Sequence, residues 1–260
     1  MKRTKSSISM PYPELRGTIN QIRYPAWAEI KLDGEFNHLI RANGQETKLI
    51  NKHGLIRTDC PITRKVDKLF NGPVHMIGEL HYGEGKQHDL YNLLKNQGSD
   101  SLNFTAFDIV ELEGVDMRGQ TLLTRLGKLS HFRAPLGQIV RDRSEAQICF
   151  QKTIDTGYEG IVLKNLDERL VLGPCGWFKW KMKDQTDLEI TMIDQVKERM
   201  EVAVFHIDKG VRRVKQCGVK IMNADKKLLK VGDLVTIEHQ GILSGGGLRH
   251  PVFISKKERE

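Results

Sequence analysis

Ala26-Trp27-Ala28-Glu29-Ile30-Lys31-Leu32-Asp33-Gly34 reads as a short strand that ends on a lysine and then turns. A lysine amine attacks an electrophile only as the free base, so a reactive lysine needs a site where desolvation or nearby positive charge lowers its pKa. Apolar Ile30 and Leu32 on either side of Lys31 suit such a site. By themselves residues 31–34 also fit an exposed lysine entering a turn, so the decision comes from the segments around them.

Four further segments carry chemistry, in a fixed order. Met76-Ile77-Gly78-Glu79-Leu80 ends a strand on a carboxylate, and Phe104-Thr105-Ala106-Phe107-Asp108 is an aromatic-rich strand. Glu159-Gly160-Ile161-Val162-Leu163-Lys164 has a carboxylate at one end and a lysine at the other. Trp177-Phe178-Lys179-Trp180-Lys181 alternates rings with lysines, which puts both lysines on one strand face. Residues 74–80, 102–111 and 160–164 read as buried strands, and 122–131 and 144–156 carry apolar residues at helical spacing. From residue 188 only strands follow, at 188–196, 202–207, 211–216 and 234–240, with turns at Lys209-Gly210 and Val231-Gly232-Asp233. The expected fold class is α+β. A mixed domain over 1–184, built on antiparallel sheets, precedes a small all-β barrel of the OB type over 185–260, with the junction at 184–187.

Composition agrees with this division. With 260 residues and 39% hydrophobic content, the chain can bury one good core and a smaller second one. The 41 Lys and Arg against 33 Asp and Glu give a net charge of +8, which favours a polyanionic partner and fits a merely soluble basic protein as well. Cys60, Cys149, Cys175 and Cys217 form no Cys-x-x-Cys pair, so neither a zinc site nor a disulfide framework is expected, and reduced thiols point to the cytoplasm. The basic start Met1-Lys2-Arg3-Thr4-Lys5 leads into no apolar run, and no stretch is long enough to cross a bilayer.

The five ordered segments resemble the nucleotidyltransferase motifs of ATP-dependent DNA ligases, a superfamily that also holds RNA ligases and mRNA capping enzymes, and the resemblance covers nearly the whole chain. It implies an adenylation domain related to the ATP-grasp type. In that domain Lys31 attacks the α-phosphorus of ATP, pyrophosphate leaves, and a lysyl-AMP phosphoramidate stores the nucleotide. By the same resemblance Glu29 reads adenine from the strand face it shares with Lys31, and Phe107 stacks on the base, while Phe104 on the opposite strand face belongs to the core. Glu79 and Glu159 would hold Mg2+, with Mn2+ as an alternative, and a ribose hydroxyl. Lys164, Lys179 and Lys181 would bring positive charge to the α-phosphate. Leu248-Arg249-His250-Pro251-Val252-Phe253-Ile254-Ser255-Lys256-Lys257 looks like the last ligase motif, so Arg249 and Lys257 are candidate phosphate contacts. Residues 184–187 become a hinge between the two domains. The basic cluster Arg212, Arg213, Lys215, Lys220, Lys226, Lys227 and Lys230 is a candidate track for backbone phosphates.

Three positions depart from the family pattern. Phe36 stands where most DNA ligases have arginine two residues after the glycine of the lysine motif. Lys52, in Asn51-Lys52-His53-Gly54, stands in the place of the arginine of the family's Ser-Arg-Asn motif, and Lys257 stands where the last motif often has arginine; such arginines commonly contact phosphates and the nick. Lysine keeps the charge and loses the bidentate fork. The expected activity is sealing of nicked double-stranded DNA by a monomer in the cytoplasm, of a host in the case of a phage or viral protein. An RNA ligase or capping guanylyltransferase, or a binding module without turnover, stays open beside it. The set Lys31, Glu79, Glu159, Lys179 and Lys181 argues against the last, because a binder has no use for a nucleophile beside two metal-type carboxylates.

Overall fold

Alternating apolar residues in the first part of the chain pair into two sheets. The computed structural model describes residues 1–6, 9–16, 19–84, 101–129, 137–194, 196, 198–208, 210–221, 228–243 and 245–257. It divides into two units, Met1–Trp180 and Lys181–Glu260.

In the first unit a seven-stranded antiparallel sheet runs in the order β1 (Lys2–Lys5), β6 (Leu55–Thr58), β5 (Lys48–Asn51), β4 (Glu35–Arg41), β7 (Val74–Tyr82), β8 (Leu102–Leu112) and β9 (Val115–Asp116). A five-stranded sheet runs β10 (Gly137–Val140), β3 (Ala26–Ile30), β11 (Gly160–Asn165), β12 (Pro174–Lys181) and β2 (Glu14–Arg16), the last pair parallel. Between the sheets lie Ile77, Val110, Val162, Cys175 and Trp177, joined by Phe36 and Phe107. Helices α1 (Pro61–Leu69) and α2 (Leu122–Leu129) cover the outer face of the larger sheet through Val66, Leu122, Leu126 and Leu129. Helix α3 (Arg143–Asp155), capped by Asp142 accepting from Glu145 N, covers the outer face of the smaller one through Ala146 and Phe150. Both helical segments read from the periodicity are present; residues 130 and 131 lie outside the described residues.

The docking of α2 adds a buried ion pair to its apolar contacts. Asp108 and Arg125 are both fully buried, and the guanidinium donates to the two carboxylate oxygens at 2.6 and 2.9 Å while also reaching the carbonyls of Gln120 and Glu168. Removing one partner leaves an uncompensated buried charge. Arg125→Ala is therefore expected to cost about 3–5 kcal/mol in denaturant unfolding. A loss under about 1 kcal/mol would show that water or a neighbour replaces the guanidinium.

In the second unit β13 (Asp184–Asp194), β14 (Arg199–Asp208), β15 (Val211–Lys220), β17 (Val252–Lys256) and β16 (Leu234–His239) close into a barrel, with β13 pairing both β14 and β16. Leu188, Ile190, Met200, Val202, Val219, Val235 and Ile237 fill it. Four of these strands were legible as such, while the fifth, β17, lies inside the final motif. The hinge expected at 184–187 is corrected: these residues are regular strand, paired to β16 from Asp184↔His239 to Asp187↔Thr236, and the units divide four residues earlier. Lys257 forms an ion pair with Asp187 at 3.0 Å, and Arg249 exchanges backbone hydrogen bonds with Gln240 and Gly241. Of the basic cluster, Arg212, Arg213 and Lys215 lie on an exposed stretch of β15, with Arg212 over the Phe205 ring, whereas Lys226 and Lys227 lie outside the described residues. All four cysteines are free thiols, and among the described residues no helix is long and apolar enough to cross a membrane.

Candidate active site

Strand β3 is held on both sides, by β10 and β11, so the end of β3 is fixed and Lys31 leaves it at a defined point. The Lys31 amide donates to Gly160 O at 2.9 Å, which sets the end of the lysine strand against the start of the Glu159 strand. Gly160 has φ of +151°, a backbone that side chains rarely adopt. Next, 33–34 turns the chain onto β7. A Cβ on Gly34 would stand 2.3 Å from Leu80 O and 3.1 Å from Glu79 Cγ, so only glycine permits this approach. Two of the sequence motifs are thereby packed on the third.

The result is a cavity of about 680 Å3 in the first unit. Glu29, Ile30, Lys31 and Val162 line it from one sheet, and Glu35, Phe36, Glu79, Thr105 and Phe107 from the other. Trp177, Lys179, the Lys52-His53 turn and residues 12–15 complete the wall. Lys31 Nζ lies 2.6 Å from Glu159 Oε2, with 19% of the lysine side chain and 4% of the glutamate exposed. Phe107 packs edge-on against Trp177 at 5.7 Å and tilts toward Phe36 at 5.9 Å. Phe104 packs in the other core, as the three-residue spacing implies.

Several expected site residues, Glu159 among them, are not on the cavity wall. Lys164 is fully buried and does not line the cavity: its Nζ is 2.6 Å from Glu29 Oε1, 3.0 Å from Phe107 O and 3.9 Å from the Trp177 ring centre. It holds Glu29, whose second oxygen accepts from Trp27 Nε1 at 3.1 Å, rather than reaching the cavity itself. Lys181 ends β12 and begins the second unit, which also contains Arg249 and Lys257.

Negative charge is crowded at one end of the cavity. Burial pushes the Glu79 carboxyl up to about 8, against the pull of Lys31 and with the help of Asp33, Glu159 and Glu35. Burial acts in the same direction on Glu35, but Arg57, Asn37 and Asn51 donate to its two oxygens and hold it below the usual carboxylate range. Arg57 is itself fully buried and committed to this pair, so it does not replace the arginine missing at Phe36.

No protein-family model matches the chain, and no curated protein matches it. Solved structures do match. The Pmar-Lig_PreS3 structure superimposes with a TM-score of 0.71 at 18% identity, over 96% of this chain and 68% of that one. A structure from work on Lig E DNA ligases gives 0.67 at 15%, over 96% and 100%. The ATP-dependent DNA ligase from bacteriophage T7, in complex with ATP, gives 0.52 at 17%, over 95% and 98%.

The fold is that of ATP-dependent DNA ligases.

Within this ligase fold the charge distribution fits a divalent cation. Two carboxyls of hard oxygen, Glu79 and Glu159, feel one another's charge beside Lys31, and a cation held by them would offset both the burial and the neighbouring charge that raise Glu79. Among the described residues no three acidic, histidine or cysteine side chains form a ready-made metal cage.

Sequence reasoning missed residues 12–15, whose Pro11-Tyr12-Pro13 run has no periodicity to read. It also missed a histidine pair behind Phe36. His38 Nε2 lies 2.8 Å from Pro11 O, and because a carbonyl can only accept, that nitrogen carries the proton. In the neutral ring Nδ1 then accepts from His75 Nε2 at 2.8 Å. Burial, with smaller contributions from His38 and Arg118, holds His75 down at about 4. From pH 6.5 to about 4 the unfolded chain binds a proton that the folded chain refuses, so stability falls as pH drops through this window, by at most about 1.4 kcal/mol per pH unit. His75→Gln keeps an N–H donor and does not titrate. Urea unfolding at pH 7, 5.5 and 4.5 should show a shallower acid loss for it, and parallel losses would place the acid sensitivity elsewhere.

Proposed function

We propose that this chain is an ATP-dependent DNA ligase that seals 5′-phosphate/3′-hydroxyl nicks in duplex DNA through lysyl-AMP at Lys31. One observation carries the reading: the Lys31 amine lines a nucleotide-sized cavity, 2.6 Å from Glu159, with Glu29 beside it on the same sheet and Glu79 and Phe107 lining the cavity from the other sheet. In the first step the Lys31 nitrogen bonds to the α-phosphorus, the α–β phosphoanhydride breaks, and pyrophosphate leaves with the electron pair. The amine must first give up its proton, and Glu159 Oε2 is a base within hydrogen-bond reach. Phe107 and Val162 offer apolar faces to the base, and Glu29, fixed by Lys164 and Trp27, offers a rigid acceptor edge that suits an exocyclic amine such as that of adenine. Glu79 and Glu159 would hold Mg2+, which supplies charge neutralisation on the phosphates and the leaving group. Lys179 faces the same cavity as a phosphate contact, and Lys52 stands at its mouth.

The second unit is read as an OB-fold domain. Its strand order, with the last two strands exchanged and one parallel contact between β15 and β17, supports that reading, as does its size. Arg249, Lys257 and the exposed basic stretch of β15 would then serve phosphates of ATP or DNA, and Lys257 must leave Asp187 to do so. The division into two units supports an adenylation domain followed by this barrel.

The experiment is joining of nicked duplexes with ATP and Mg2+, all-DNA beside duplexes with RNA on the 3′-hydroxyl or the 5′-phosphate side. Rapid joining of the all-DNA nick is the expected result. Joining only with RNA present, or a lysyl-AMP adduct without joining, would transfer the chain to the RNA-ligase or capping branch.

A further inference from the structure

The cavity has a wall that no motif accounts for. Residues 9–13 leave the edge of the larger sheet, where β1 pairs with β6, and enter the smaller sheet, where β2 pairs with β12, so they cross from one sheet to the other beside the cavity. Two hydrogen bonds hold this strap, and a third holds the chain just before it. Ser6 N donates to Gly54 O at 2.9 Å and Met10 N to Lys52 O at 3.2 Å, both in the turn that carries Lys52. His38 donates to Pro11 O, with its other nitrogen held by His75. The next residue, Tyr12, lines the cavity, packs on Phe36 at 5.8 Å, and lies 5.4 Å under the Lys52 ammonium.

These contacts form one chain of support. His38 is also edge-on to Phe36 at 5.0 Å, so the same ring fixes both the strap and the aromatic residue on which Tyr12 rests. Lys52 is exposed on a tight turn, and an exposed lysine has about 2 kcal/mol of rotamer entropy to lose before it can serve a phosphate. A ring that holds its ammonium by cation–π attraction removes part of that freedom beforehand.

We propose that Tyr12 is a positioning residue of the nucleotide site, holding Lys52 over the cavity for the nucleotide phosphates, and that the His38–Pro11 hydrogen bond fixes where Tyr12 stands. The proposal rests on the nucleotide reading above. It also accounts for a lysine in the place of an arginine: Lys52 has no planar fork to orient itself, and Tyr12 supplies the orientation.

The test is the rate of adduct formation from ATP labelled on the α-phosphate, measured against ATP concentration. Tyr12→Ala is expected to raise KM for ATP by about five-fold with kcat nearly unchanged, the size of an exposed cation–π contact. Tyr12→Phe keeps the ring and recovers the KM. His38→Ala raises KM in the same way, His38→Gln recovers it through its N–H, and the Tyr12→Ala/His38→Ala double variant rises no further than either alone. Additive effects, or a KM within two-fold of the unaltered chain in folded Tyr12→Ala, would overturn the proposal while leaving the adduct chemistry intact. No adduct in the unaltered chain would instead sink the nucleotide reading, and this inference with it.

Discussion

Lys31→Ala is expected to carry no covalent nucleotide after incubation with α-labelled ATP and Mg2+, under conditions that label the unaltered chain. The other lysines of the region make the experiment selective. Lys52 and Lys179 also line the cavity and remain in the variant, so surviving label would assign the nucleophile to one of them. Lys164 is excluded by its burial and by its commitment to Glu29 and the Phe107 carbonyl. Alanine removes the ion pair to Glu159, whose side chain is 4% exposed, at a cost of about 1–3 kcal/mol. Lys31→Arg therefore belongs beside it: the guanidinium can keep the ion pair but does not deprotonate, so this variant should stay folded and inert. Label on Lys31→Arg would reject Lys31 as the nucleophile without any question of folding.

What the sequence made legible follows from what leaves a local trace. The lysine strand, the Glu79 strand and the Glu159 strand could be read because each places an ionisable residue at the end of an apolar run, and all three meet at the cavity. The barrel strands could be read by alternation. The contacts of Lys164 with Glu29, Phe107 and Trp177 could not be read, because they depend on the register between β3 and β11, where Lys164 pairs with Trp27. The same holds for Asp108, which looks like part of an aromatic motif and is half of a buried ion pair with α2. Residues 184–187 read as the junction because they follow the last lysine motif, and β13 uses them to pair with β16. The strap at 9–13 has no pattern of its own and is held by a turn and a histidine far along the chain.

Glu159→Gln separates two roles that a resting structure superimposes. The 2.6 Å ion pair with Lys31 can be a restraint, keeping the amine charged and unreactive, or Glu159 can be a working group that takes the proton and helps hold the cation. The roles predict opposite signs. A mere restraint, once removed, frees the amine, and adduct formation becomes faster at neutral pH. A working carboxylate, once neutralised, lowers the rate by about 10²-fold or more, the size expected for losing one transition-state charge contact in a site shielded from water. The surroundings of Glu79 favour the second outcome, since Asp33, Glu159 and Glu35 add to the burial that raises its carboxyl, and a bound cation would offset both. The amide keeps the shape of the side chain and leaves Glu79 in place, so the fold should survive. The decisive reading is the Mg2+ dependence of adduct formation: Glu159→Gln should need more Mg2+ for half its maximal rate and should reach a lower maximum. An unchanged Mg2+ midpoint with a faster rate would make Glu159 the restraint and leave Glu79 as the carboxylate that answers to the metal.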